Sequence, residues 1–470
     1  MNRSSSRTHR IAMAAPSLLA VSALAPATTA QICEQDMMLR LATPSVGDQL
    51  GSAVAMGPGV AVVSHLDGVA SVSDAVHVFR HKNGAWVEEA TLVSPNVPPS
   101  PFPGLFGRSV ALDTDRIAVG APFQTLTQVR QGGAFVFERI NNVWTNTANL
   151  ISPNATVDEG FGRSVALDGD TLVVGVGTGE AVNPPPSFVY VYTKGAAGWS
   201  LQAMLPAPAG ADSNNDFFGK CIALYQNTLV VGAANADIQA PDAGAVFIYT
   251  RTGNVWTLDA TLTQSAAPAS LSDFGVDVAI DGDTILVGDD AQGEVTVFVR
   301  QNTAWIQQAV LTPSVGAPTT AFGFSVALDG DRAVVGDPTD STQASIAGAA
   351  HVFHRVGAIW TPGELLLGST SNANGFFGWD VAISGPRTLI GARRLKVVGV
   401  NAAGAGFIFA CCPEDILGNG GVGPDDLLAL LSAWGSTAAV SADIDLSGGV
   451  GPGDLLAMLA KWGQCSLPAP

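Results

Sequence analysis

An all-β fold, a seven-bladed β-propeller of four-stranded antiparallel blades, is the class this sequence predicts, with a small α-helical module after it. Three observations carry that reading. A Phe-Gly pair followed by alternating apolar residues recurs at Phe106-Gly107, Phe161-Gly162, Phe218-Gly219, Phe274-Gly275, Phe322-Gly323 and Phe377-Gly378, with Leu50-Gly51 as a first, weaker copy. The seven glycines stand 56, 55, 57, 56, 48 and 55 residues apart, the period of a stacked repeat unit. Each interval holds four short strand-like stretches, and such units bury their apolar faces by stacking radially.

Within a unit the elements follow in a fixed order. The first strand reads Ser-Val-Ala-Leu, as at Ser109 to Leu112, Ser164 to Leu167 and Ser325 to Leu328. A tight turn follows, often Asp-Gly-Asp (Asp168 to Asp170, Asp281 to Asp283, Asp329 to Asp331), where glycine supplies the positive φ that a two-residue hairpin needs. The second strand ends in an apolar-Gly pair: Val119-Gly120, Val174-Gly175, Val231-Gly232, Val287-Gly288, Val335-Gly336 and Ile390-Gly391. Gly244 to Tyr249 exemplifies the third strand, echoed at Gly133 to Phe137 and Gly404 to Phe409. The fourth starts at a Trp and reaches a Leu six residues on, in Trp86–Leu92, Trp144–Leu150, Trp199–Leu205, Trp256–Leu262, Trp305–Leu311 and Trp360–Leu366.

Only six fourth strands follow a third strand. Met38-Leu39-Arg40-Leu41, ahead of Gly51, occupies the place that Ala90-Thr91-Leu92 takes ahead of Gly107, and Gln35 stands where Trp would be. The N-terminal strand is therefore expected to complete blade seven and remove the exposed edges. That places Cys33 near Cys411 and Cys412, where a disulfide would staple the closure. Cys221 falls in an apolar strand pattern and reads as a buried thiol.

The first thirty residues read as a secretory signal, giving domains at 1–30, 31–410 and 411–470. Arg3, Arg7 and Arg10 precede an apolar stretch from Ile11 to Ala25, and Thr28-Thr29-Ala30 offers small residues before a cut at Gln31. The expected location is therefore secreted, extracellular or at the cell surface, with no membrane span in the mature chain. A formal charge of −18 and the absence of a basic stripe exclude nucleic acid as an expected partner.

Residues 412 to 465 carry a second, shorter repeat. Asp415, Asn419 and Gly420 are followed by Asp426; Asp443, Asp445, Ser447 and Gly448 are followed by Asp454. Glycine at position 6 and an acid at position 12 is the arithmetic of an EF-hand calcium loop. Each loop opens a helix with a shared apolar set: Leu427, Leu428, Leu430, Leu431 and Trp434, then Leu455, Leu456, Met458, Leu459 and Trp462. These sets are expected to serve mostly as core.

The long repeat resembles the FG-GAP repeats of integrin α-chain propellers and their bacterial relatives, and Phe106-Gly107 with Val119-Gly120-Ala121-Pro122 is its nearest copy. That family's calcium-binding blades carry an Asp-rich loop between the first two strands. Here the position holds only Asp113-Thr114-Asp115 or Asp-Gly-Asp, too short to wrap a cation, so these aspartates read as turn formers. The paired loops resemble dockerin modules of the GC type. That resemblance implies calcium as cofactor, held at site two by Asp443, Asp445, Ser447, the Gly449 carbonyl and Asp454. At site one it implies Asp415, Asn419, the Gly421 carbonyl and Asp426, with Leu417 replacing one side-chain oxygen. It also implies a cohesin-like surface partner, although Pro424-Asp425 and Pro452-Gly453 depart from the Ser-Thr type pair of cellulosomal dockerins.

No His-Glu-x-x-His, Gly-x-Ser-x-Gly or Cys-x-x-Cys pattern occurs, and His77 and His351 fall in third strands as packed residues. The expected function is binding or adhesion and not catalysis, with a protein or glycan ligand on the propeller. Two alternatives are an extracellular polysaccharide-processing enzyme or accessory subunit, and a structural component of a matrix or surface. Acids from different blades converging at the propeller's mouth would favour the enzyme.

Overall fold

The computed structural model describes residues 33–66, 74–82, 85–95, 104–176, 187–211, 216–264, 272–313, 321–370, 372–410, 421–422, 424–436, 442–444, 449–460 and 463–464. The leader expected at 1–30 lies outside them.

Seven four-stranded antiparallel sheets form the ring. Blade one runs Val54–Gly57, Val60–His65, Ala75–Lys82 and Ala85–Val93. Blades two to six open at Ser109–Asp113, Phe161–Asp168, Ile222–Tyr225, Val278–Asp281 and Ser325–Asp329 and end at Val143–Leu150, Gly198–Pro206, Val255–Leu262, Ala304–Leu311 and Ile359–Leu366. Blade seven is assembled from both ends of the repeat: Phe377–Ser384, Arg387–Ala392 and Ala405–Ala410, completed by Glu34–Leu39. The first strands touch one another in order around the ring, blade seven meeting blade one, so they line a central axis.

Closure by the N-terminal strand is as expected, but its register is two residues off the simple count. Leu39 pairs with Gly406 as Leu92 pairs with Val76 in blade one, so Leu39, not Leu41, fills the leucine position. The outer strand takes the alignment that buries Leu39, which is 1% exposed. Pairing of Cys33 with Cys411 or Cys412 falls on residues outside the described set; Cys33 itself packs against the blade-seven core.

The Phe-Gly pair is a mortise between blades. Each Phe, and Leu50, is buried, and Phe106 packs among Val76 and Val78 of blade one and Phe135 and Phe137 of blade two. The following glycine turns the chain at positive φ, 95° at Gly107 and 85° at Gly378. A Cβ on Gly378 would meet the Ala349 carbonyl oxygen at 2.1 Å, and one on Gly120 would meet that of Gly162 at 2.0 Å. Both glycines of the repeat therefore exist for close backbone approach.

At the opposite end of the first strands, the Asp turns join blade to blade. The Asp113 carboxylate accepts the Gly169 N–H at 2.7 Å, Asp281 that of Gly330 at 2.6 Å and Asp329 that of Gly385 at 2.5 Å, while Asp168 accepts that of Gln226. These aspartates are turn formers, as read from the sequence, and also latches. A third latch lies at the rim. Outer strands carry a β-bulge, and in blades one, three and five the residue there accepts the indole N–H of the next blade's Trp: Glu89 from Trp144 at 3.1 Å, Gln202 from Trp256 at 2.8 Å and Gln308 from Trp360 at 2.9 Å. Asp36 of the N-terminal strand accepts from Trp86 at 3.0 Å, so the closing strand also joins blade one.

In the C-terminal module, helices Pro424–Ser432 and Pro452–Ala460 pack through Leu430 and Met458, with Val422, Ala442, Ile444 and Val450 around them. Leu427 and Leu455 lie against this small core. Leu428, Leu431, Trp434, Leu456 and Leu459 are exposed, which corrects the expectation that most of the apolar set serves as core. The reason is helical geometry: successive residues lie about 100° apart, so two short helices meeting along one stripe leave the neighbouring stripe outside. Trp462 lies outside the described residues.

Candidate functional site

The axial channel opens at the Phe-Gly end, where a cavity of about 400 Å³ is lined by the residues that follow each Phe-Gly glycine. In blade order the first of these are Ser52, Arg108, Arg163, Lys220, Val276, Phe324 and Trp379. One arc of the ring, from blades two to four, is cationic; the facing arc, from blades five to seven, is apolar and aromatic. Positive φ at the preceding glycine swings the chain inward, and this is what aims the residue at the axis.

One residue further on, the side chains latch neighbouring blades. Ser109 donates to the Gly162 carbonyl at 3.1 Å, Ser164 to that of Gly219 at 2.7 Å and the Cys221 thiol to that of Gly275 at 3.1 Å. Cys221 is the buried thiol expected, its pKa pushed up by burial. In blades five and seven the same position is an acid. Asp277 accepts the Val326 N–H at 2.8 Å, and Asp380 accepts the Val54 N–H at 2.7 Å and the Ser325 hydroxyl at 3.1 Å. Burial pushes Asp277 up to about 7, with Asp380 adding to the rise, and Asp380 up to about 6. Acids from different blades thus do meet at the axis. Their oxygens are engaged by backbone N–H groups of the next blade, at the place where Ser109 and Ser164 latch, so the arrangement is a joint and not a free acid–base pair.

The cations of the mouth are crowded. Burial lowers the Lys220 pKa, and the charges of Arg163 and Arg108 lower it further. Lys220 Nζ lies 4.5 Å from the Phe217 ring centre. Arg393, from the loop after the second strand of blade seven, stacks on Trp379 at 3.5 Å, and burial with the charges of Arg394 and Arg108 brings it down to about 10. Trp379 also meets Phe324 with ring centres 4.6 Å apart. Sequence reading passed over these residues. Their signal is the variation at one repeat position, immediately after Phe-Gly, among otherwise repeating neighbours.

His77 and His351 are buried third-strand residues, as expected. His351 packs against Phe322 and burial lowers it to about 4.

Of the predicted calcium ligands, Asp415, Asn419, Asp445 and Ser447 lie outside the described residues. Asp426, Asp443 and Asp454 are buried, and Gly449 and Gly421 are backbone positions beside them in the chain. Asp454 accepts the Gly451 N–H at 2.8 Å. Among the described residues no group of three or more acids, histidines or cysteines stands close enough to hold a metal ion. No helix among them is long and apolar enough to cross a membrane.

Fold and mouth together define a radial repeat propeller with a convergent axial site. Residues 86–137, 144–192, 199–249 and 305–353 match the model of the FG-GAP repeat, so these four stretches of the ring are similar to that repeat. No curated protein matches the chain. A crystal structure named "putative 6-phosphogluconolactonase", from Bacteroides fragilis, is similar at 10% identity and a TM-score of 0.46, over 75% of this chain and 90% of that one.

Proposed function

We propose that this is an exported or cell-surface binding protein whose propeller recognises a protein or glycan ligand while its C-terminal module attaches it to a surface partner. One observation carries the binding half. Seven blades, each latched to the next at hub, turn or rim, aim seven different side chains into one cavity. A rigid scaffold presenting a variable concave surface is where recognition is concentrated. Catalysis is not part of the proposal, because the acids at the axis are engaged in holding blades together.

The attachment half rests on the exposed stripe of Leu428, Leu431, Trp434, Leu456 and Leu459, an apolar surface on a small module. Calcium is proposed to order that module. Buried Asp443 and Asp454 are hard oxygen donors of the kind the ion takes, and calcium would supply the charge that offsets their burial.

Screening the full chain against glycan and protein arrays, alongside a Phe324→Ala variant, tests the recognition site. Ligands lost on that change support the mouth; ligands retained by it place recognition elsewhere. A chain ending at Cys411 should be released from cells into the medium. If it stays as firmly cell-associated as the full chain, the module is not the anchor.

A further inference from the structure

The mouth's two arcs narrow the ligand chemistry, on the reading that the mouth is the binding site. We infer that the axial mouth accepts a carboxylate-bearing sugar unit, a uronate, with its carboxylate toward Arg108, Arg163 and Lys220 and its apolar ring face toward Phe324 and Trp379.

Composition makes the cationic arc stand out. The chain carries 22 Lys and Arg against 40 Asp and Glu, yet one repeat position places a cation on three consecutive blades around a single cavity. These charges act on one another: the Lys220 ammonium is disfavoured by burial and by its two arginine neighbours. An arriving anion relieves that repulsion, and inside a concave site the attraction is screened less than at an open surface. Carboxylates nearby offset the arc only in part. Asp277 and Asp380 are held up to about 7 and about 6, and each is engaged by backbone N–H groups of the next blade. Asp290, whose charge acts on Lys220, is held up to about 7 by burial and by Asp273 and Asp289.

The facing arc selects the body of the ligand. Val276, Phe324 and Trp379 add apolar surface to this side, beside Arg393 stacked on Trp379, and a small inorganic anion would leave that apolar surface against water. A pyranose uronate has the matching asymmetry: an anionic group at one edge and C–H faces that pack on aromatic rings. A cavity of about 400 Å³ has the size of a small-ligand pocket.

Calorimetry of the full-length protein with trigalacturonate, neutral galactotriose and hexaglutamate tests the inference. Trigalacturonate should bind, weaken as salt rises, and lose about tenfold or more in affinity in Arg163→Gln, the size of one charge-assisted hydrogen bond. Lys220→Gln should give a loss in the same direction and serves as the reading if Arg163→Gln melts early. No binding of trigalacturonate, or binding unchanged in both variants, overturns the inference. Hexaglutamate bound as well as trigalacturonate would overturn the sugar assignment. A neutral array ligand lost in Phe324→Ala, with galactotriose binding as well as trigalacturonate, would remove the anion and leave the mouth standing as a binding site.

Discussion

Glu89 is the residue at which the rim latch is most heavily loaded, and replacing it by Gln tests whether these latches hold the ring. Its carboxylate, 8% exposed, lies 3.0 Å from Arg80 Nε, 3.1 Å from Lys82 Nζ and 3.0 Å from Arg139 Nη2. It also accepts the Trp144 indole N–H from the next blade. Burial alone would raise its pKa, but the bonds from Arg139, Arg80, Lys82 and Trp144 outweigh it and bring the group from the usual 4.5 down to about 2. By linkage that depression corresponds to about 3 kcal/mol of stability. The sign follows from the direction. A carboxyl with a lowered folded pKa contributes fully above 4.5 and loses the contribution as pH falls through about 2. Glu89→Gln keeps the shape and an acceptor for Trp144 while removing the charge. Urea unfolding of both proteins along a pH series should show the variant about 3 kcal/mol less stable at neutral pH, with the gap closing toward pH 2. A gap that stays constant from neutral pH down to acid would refute the electrostatic account and reduce Glu89 to a packing residue.

The hub latches respond in the opposite sense. Asp277 has a raised folded pKa, so what its protonated form contributes is fully present below 3.8 and lost as pH rises through about 7; Asp277→Asn should flatten that decline in thermal melts. A variant curve parallel to the wild type would sink the claim. Deleting residues 31–45 removes a whole outer strand and the Asp36 acceptor of Trp86, and should lower the melting temperature far more than deleting loop residues of comparable number. Peptide mapping under non-reducing conditions should join Cys33 to Cys411 or Cys412; free Cys33 would remove the proposed staple, though not the strand. Calorimetry should find calcium uptake largely lost in Asp443→Ala with Asp454→Ala, and undiminished uptake would place the ion elsewhere.

The ring was legible in the sequence because each of its elements is specified locally and then repeated. Phe-Gly, the Asp turn, the apolar-Gly pair and the Trp-to-Leu strand each answer to a short-range requirement of φ, pleat or packing. Closure was legible too, since a missing seventh fourth strand can be counted. Its register was not, because burial of Leu39 depends on a partner strand more than 360 residues away. The split of each C-terminal apolar set was hidden for a similar reason. Periodicity puts Leu427 and Leu428 on the same broad side of a helix, and only the angle at which a second short helix lies decides which is covered. The latches escaped notice because their donors and acceptors sit about one repeat apart, on blades whose contact the sequence does not write down.

Two adjacent positions of one repeat divide structure from recognition. The residue two places after the Phe-Gly glycine varies only among groups able to bridge blades: Ser109, Ser164, Cys221, Asp277, Ser325 and Asp380 each do so, by hydroxyl, thiol or carboxylate. The exception is Ala53, whose backbone N–H donates to the Ser64 hydroxyl of its own blade at 2.7 Å. The residue one place after the glycine shows no such restriction and runs from Ser52 through three cations to Val276, Phe324 and Trp379. Nothing in blade stacking asks for that order, since every blade is joined by the same neighbours whatever stands there. A ring that needed only to fold would have no use for a cation on blades two, three and four and an aromatic on six and seven. On the proposed reading the asymmetry at the mouth answers to a ligand, while the near-sevenfold regularity one residue further along belongs to the ring itself.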